Sequence, residues 1–184
     1  MPRRRYIFDP PERSVAGTVG EPGDRTFFLQ AREGSRVTSI VLEKVQVAVL
    51  AERLGELLEE LERRGVEGVE GSDAEDTGPL DEPLVEAFRA GSLTLGWDGG
   101  ADRILVEARA QDEDGDPIDP DEDDDEDEDG PDLLRVRMTA AAARGFVARA
   151  ARVVAAGRPP CPLCGAPLDP LGHICPRRNG HYVN

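Results

Sequence analysis

The chain has 184 residues, which suits one ordinary domain, or one domain with a small appendage. Hydrophobic residues make up 39% but aromatics only 4%, so Val, Leu and Ala must fill most of the core. No apolar run reaches the roughly 18 residues that a membrane-spanning helix needs, and a net charge of −16 suggests a chain that repels nucleic acid. That charge is local, however. Residues 112–132 hold 15 of the 38 acidic side chains and no basic one, which leaves 23 acidic against 22 basic residues elsewhere.

In chain order, Met1-Pro2-Arg3-Arg4-Arg5 is basic but leads into Tyr6-Ile7-Phe8-Asp9-Pro10-Pro11, not the apolar core of an export signal. Together with cysteines that do not form a disulfide framework, this predicts a cytoplasmic protein. Residues 5–8 and 14–20 read as short strands around the Pro10-Pro11 break, and Arg25–Arg32 as a better one. After a Glu33-Gly34-Ser35 turn, Arg36–Leu42 supplies a fourth strand, rich in Val, Thr and Ile. The period then changes. Val47, Leu50, Leu54, Leu57, Leu58 and Leu61 fall at helical spacing, with Glu52, Arg53, Glu56, Glu59 and Glu60 on the other face and Gly65 as a stop.

Residues 65–83 are rich in Gly, Asp, Glu and Pro and read as a linker. Strands resume over Phe88–Trp97 and Arg103–Ala110, joined by the turn signal Asp98-Gly99-Gly100. An acidic loop, 112–132, separates them from a strand over Leu133–Met138. Thr139 is a suitable N-cap for a helix over 140–156 that turns Phe146, Val147, Ala150, Val153 and Val154 inward.

The expected fold is therefore α+β: an antiparallel sheet from two strand-rich units, each ending in a helix, plus a small C-terminal zinc knuckle. Unit one spans 1–64 and unit two 84–157, giving a main domain of 1–157 followed by a tail of 158–184. Phe27 and Phe28 are adjacent on one strand, so only one of them can face the core and the other is expected to be exposed.

The tail carries the most specific signal. Cys161-Pro162-Leu163-Cys164-Gly165 follows Pro159-Pro160, and two thiolates at this spacing can turn toward one metal ion. Cys175 adds a third thiolate, and zinc completes a tetrahedron with a fourth N or S ligand. His173 is the preferred fourth ligand because it sits inside the second turn; His181, near a chain end prone to fraying, is the alternative. A redox Cys-x-x-Cys pair would need a strand-then-helix setting, whereas this motif follows a helix and a Pro-Pro break. A thiolate-rich tetrahedral set favours zinc over iron.

Other features are less specific. Asp112, Asp114 and Asp116 have calcium-loop spacing, but Pro117 stands where the turn needs glycine. There is no phosphate-binding glycine loop, no G-x-S-x-G elbow and no H-E-x-x-H helix, and both histidines lie in the tail. Arg25, Arg32, Phe27, Phe28 and Trp97 could make a basic-aromatic face for stacking bases.

The blocks Tyr6–Arg13, Ala16–Gly23, Arg25–Arg32, Arg158–Gly165 and His173–Arg177 resemble an uncharacterised actinobacterial domain-of-unknown-function family, number three thousand and ninety. That resemblance implies a lineage without an activity. The family's tail ends in a similar Asn-Gly followed by residues that need not include histidine, which favours His173 over His181. Strand-rich units closing in a helix are also similar to the PUR repeat of single-strand nucleic-acid-binding proteins. The expected function is a non-catalytic binding or adaptor module for a protein partner, with no membrane association. The alternatives are a single-stranded nucleic-acid binder of PUR-like architecture and an enzyme whose site forms across the sheet.

Overall fold

A computed structural model describes residues 2–69, 75–119, 128–157, 159–166, 168 and 173–179. It has seven strands, β1 (Arg5–Phe8), β2 (Arg13–Val19), β3 (Thr26–Glu33), β4 (Arg36–Leu42), β5 (Glu86–Asp98), β6 (Arg103–Ala110) and β7 (Leu133–Met138). Helix α1 (Lys44–Arg63) follows β4, α2 (Ala140–Ala155) follows β7, and a single turn, α3 (Pro176–Asn179), lies in the tail. None of the described helices is long and apolar enough to cross a membrane.

The strands form one sheet in the order β1-β7-β6-β5-β4-β3-β2. The fold is α+β as expected, but the sheet is mixed and not antiparallel: β1 pairs parallel with β7, and β5 parallel with β4. These two joints are placed alike in the chain. The first strand of each unit lies against the last strand of the other. In unit two that first strand is fused into the 13-residue β5, whose Glu86–Arg89 end runs along β4 before the register shifts between Ala90 and Ser92. From Ser92 onward the same strand pairs antiparallel with β6. Gly91 occupies the shift, where a Cβ would stand 3.0 Å from Pro117 Cα and 3.1 Å from Gln111 Cα. Backbone crowds the space a side chain would need, so any larger residue would have to push that backbone aside.

Edge strands β1 and β2 are joined by only Asp9–Glu12. Seven flat strands would put those edges about 29 Å apart, at roughly 4.8 Å per step. Five Cα steps span at most about 18 Å. The sheet must therefore curl, and it curls toward the helices. Arg36 of β4 donates to the Ile7 carbonyl of β1 at 2.7 Å and stacks 4.3 Å from the centre of the Phe8 ring.

Inside the curl, Leu29, Ile40, Val106 and Val136 from the sheet meet Leu54 and Leu58 of α1 and Phe146 and Ala150 of α2. Helix α1 begins with a capping box, in which Gln46 Oε1 accepts from Glu43 N–H at 2.7 Å. Thr139 caps α2 by accepting from Ala142 N–H at 3.2 Å.

Residues 75–81, read from sequence as linker, form a strap around the β2 edge. Arg149 of α2, 5% exposed, donates to the carbonyls of Ala16, Asp76 and Gly78. Arg13 of β2 grips the Asp76 carboxylate at 2.5 and 2.9 Å. The strap then crosses to the outer face, where Asp81 N–H donates to Gln30 Oε1 at 2.7 Å and Gln30 Nε2 returns a bond to the Asp81 carbonyl at 3.0 Å. Phe28 and Gln30 lie on this outer face, Phe27 and Leu29 on the core face. Both aromatics are nonetheless buried, because the strap covers the face on which Phe28 was expected to be exposed.

Candidate metal centre

After α2 the chain turns at Gly157 and enters a narrow loop built on backbone hydrogen bonds. Leu168 N–H donates to the Pro159 carbonyl at 2.9 Å and Cys161 N–H to the Ala166 carbonyl at 2.7 Å, so the two arms run antiparallel. Gly165 N–H closes the tip onto the Cys161 carbonyl at 2.8 Å, with a left-handed φ of +74° that suits glycine. This turn directs both Cys161 and Cys164 to one side. The chain returns through His173-Ile174-Cys175, and α3 begins directly after Cys175.

The two turns bring Cys161, Cys164, His173 and Cys175 together, one ligand atom from each lying within 4.8 Å of every other. Cys161 Sγ and Cys175 Sγ are 3.9 Å apart, and Cys164 Sγ is 3.2 Å from His173 Nε2. A sulfur–sulfur edge of a zinc tetrahedron with bonds of about 2.3 Å is about 3.8 Å long, whereas a disulfide brings sulfurs to about 2.05 Å. The Cys161–Cys175 pair matches such an edge, the four groups converge on one region, and all three cysteines are free thiols. His181, the alternative fourth ligand, lies outside the described residues.

A family model described as Protein of unknown function (DUF3090) matches residues 6–175. The chain belongs to this family. No curated protein and no solved structure matches it. In this family member the matched span ends on Cys175, so it includes all four clustered residues and stops short of His181.

The electrostatics of the cluster suit a cation. Backbone N–H groups of Cys164 and Leu163 point at Cys161 Sγ and hold its thiol at about 6, well below the ordinary thiol value. Ala166 N–H likewise favours the Cys164 thiolate, but desolvation and the neighbouring Cys161 and Cys175 sulfurs outweigh it and push Cys164 upward. Anionic sulfurs crowded around one point repel one another until a positive ion stands between them. Cys161 and Cys175 are buried, while Leu163 and Ile174, which lie between the ligands of each turn, are 51% and 84% exposed.

The other candidate sites do not assemble. Phe27 and Trp97 lie on the core side of the sheet, while Phe28 and Arg32 lie on the other, so the basic-aromatic set shares no face. Arg32 is engaged by Glu12 and Asp81. On the outer face of β5–β7, where Glu107, Arg109 and Leu133 are buried, Arg137 pairs with Asp98 and Asp9, Arg103 with Asp9, and Arg135 with Glu107. Asp112 Oδ1 accepts from the backbone of Asp114 and Asp116, which makes a self-satisfied turn. Ordered packing of residues 75–81 had one sequence signal, the polar Gln30 in the middle of a buried strand, which must find partners.

Proposed function

We propose that the tail is a structural zinc knuckle, with Cys161, Cys164, His173 and Cys175 as ligands, and that the protein is a non-catalytic cytoplasmic binding or adaptor module. The observation that carries this is the convergence of three thiols and one imidazole to within 4.8 Å of one another. A soft, thiolate-rich donor set of this kind selects zinc over hard cations. Four protein ligands leave no open position for water or substrate, so such a site holds structure and does not activate a nucleophile. A tail this short cannot bury a core of its own, and metal binding supplies its folding energy. The division into a main domain of residues 1–157 and a tail of 158–184 follows from that difference.

An adaptor role draws support from Leu163 and Ile174. Each metal-holding turn keeps one apolar side chain in solvent, a presentation that suits a protein partner. Single-stranded nucleic-acid binding has less support, because the outer-face arginines of β6 and β7 are already matched by carboxylates.

The test is elemental analysis of chain purified without added zinc. About one zinc ion per chain is expected, falling to near none in a Cys161→Ser, Cys175→Ser double variant and weakened in His173→Ala. Metal-free protein with three freely titratable thiols would reject the site. For the adaptor role, a Leu163→Ser, Ile174→Ser variant should keep its zinc and lose the partners that the native chain retains.

A further inference from the structure

In this chain nearly every described cation is matched by an anion. Arg4, Arg13, Arg32, Arg36, Arg53 and Arg89 each pair with a carboxylate, as do all the described basic residues of β6, β7 and α2. Outside the tail, where Arg177 also has no ion pair among the described residues, Arg25 and Lys44 break the pattern. Neither forms an ion pair among the described residues, although the chain carries 38 acidic side chains and Lys44 is its sole lysine.

These two cations converge. Arg25 precedes β3 and Lys44 opens α1, and between them lies Gly157, just past the C-terminus of α2. A Cβ on Gly157 would stand 3.4 Å from Lys44 Nζ and 3.7 Å from Arg25 Nη2. Both groups therefore reach the same small space, close enough for one oxyanion to bridge them. That space opens into a cleft of about 460 Å³, lined by Gly23, Arg25, Phe27, Lys44, Val154 and Ala155 and, among the described residues, by no acidic side chain. The size is that of a small-molecule site. Arg25 is also fixed in place: its guanidinium stacks 5.1 Å from the Phe27 ring centre and Nη1 donates to the Val153 carbonyl at 3.4 Å. Two like charges held together with no counter-ion are an unfavourable arrangement that an anion would relieve.

We propose that this cleft binds a small organic phosphate, with the phosphate group between Lys44 and Arg25 and an apolar body along Val154 and Ala155. Arg25 supplies the planar fork that recognises phosphate oxygens, and Lys44 a compact second charge. The absent side chain at Gly157 leaves the room the anion needs. The competing explanation is purely local: both cations could serve only the carbonyls at the C-terminus of α2.

Full-length, zinc-loaded chain should be titrated with inorganic phosphate, phenyl phosphate and benzyl alcohol, with binding read by amide chemical shifts. Phenyl phosphate should shift the amides of residues 25, 44 and 157 and bind more tightly than inorganic phosphate, while benzyl alcohol should leave them unmoved. Lys44→Met and Arg25→Gln should each weaken binding at least tenfold, and Gly157→Ala should weaken it while keeping both charges. Thermal melts of each variant without ligand separate the explanations. A drop in melting temperature with no phosphate-dependent shift in the native chain would leave only the helix-end role and overturn the site. Tighter binding of an oligothymidylate than of phenyl phosphate, lost in the same variants, would overturn the small-ligand form in favour of a nucleic-acid backbone.

Discussion

The curled sheet with its helices and the cysteine tail are secured in opposite ways. In the body, Leu29, Ile40, Leu54, Leu58, Phe146 and their neighbours share one continuous core, so no single contact decides the fold. The tail has two short turns, a one-turn helix and four converging ligand atoms, and its apolar residues Leu163 and Ile174 face outward. Burial stabilises the body in many small increments, at about 25 cal/mol per Å² of apolar surface. With the proposed zinc bound, the tail concentrates its stability in one point. Damage to the first should be graded, and damage to the second all-or-none.

The largest expected effect lies in the tail. Removal of metal by a strong chelator, or the Cys161→Ser, Cys175→Ser double variant, should collapse the amide dispersion of residues 159–179 while the melting transition of the body stays in place. Loss of both together would show that the two regions form one cooperative unit and that the contrast is false. Next comes the core. Leu54 is fully buried in α1, and Leu54→Ala should lower the urea-derived stability of the body by about 2–5 kcal/mol through lost burial and the cavity left behind. Zinc content should not change. A third, smaller effect tests whether the strap belongs to the body. Hydrogen bonds and charge from Arg13, aided by the Gly78 N–H and Arg149, hold the Asp76 carboxyl at about 2, below the ordinary carboxylate value. Because the folded value is the lower one, this stabilisation is present above about pH 4 and is lost as pH falls toward 2. Asp76 is 36% exposed, so the pair is discounted to about 1–2 kcal/mol. Denaturation of native and Asp76→Asn chains at pH 7 should differ by that amount, and the gap should close as the pH approaches 2.

The parts legible from sequence are those where periodicity or spacing carries the information. All seven strands and both long helices follow from alternation, the Val-Leu helical stripe and the cap at Thr139. The clustering of Cys161, Cys164, His173 and Cys175 followed from residue type and spacing, because backbone turns bring Cys-x-x-Cys sulfurs together whatever surrounds them. The parallel joints were not legible. Alternation in β5 says which face each residue takes, but Glu86–Arg89 pairs with β4 and Ser92–Asp98 with β6 through long-range choices that no local pattern records. The strap was missed for a similar reason: Asp76, Gly78 and Asp81 are typical linker residues until Arg13, Arg149 and Gln30 are seen around them. The Lys44–Arg25 cleft depends on α1 and β3 meeting the end of α2, so it too needed the tertiary structure.

The smallest effect gives the sharpest test of where the body ends. Gly17 of β2 faces the strap, and a Cβ there would approach Leu80 Cδ2 to 2.6 Å and Cγ to 2.8 Å. Gly17→Ala has two opposed consequences. Alanine in a strand restricts the unfolded chain and favours folding by about 0.5–1 kcal/mol. Leu80 must also move, and since its branch carbon is among the clashing atoms, a turn about its outer χ2 bond does not clear it; either χ1 must change, which unseats the side chain, or the strap backbone must shift. The strap should lift locally while the sheet beneath gains slightly. The amide of Asp81, held by Gln30 at 2.7 Å, reports on that lifting and should exchange with solvent about fivefold faster, equivalent to roughly 1 kcal/mol of local opening. Amides in the centre of β3 should be unchanged or slower. Adding Leu80→Ala to Gly17→Ala removes the clash, so the double variant should exchange at Asp81 no faster than Leu80→Ala alone. If Gly17→Ala leaves Asp81 exchange at its native rate, the strap is not seated on β2, and residues 75–81 behave as the linker their composition suggests.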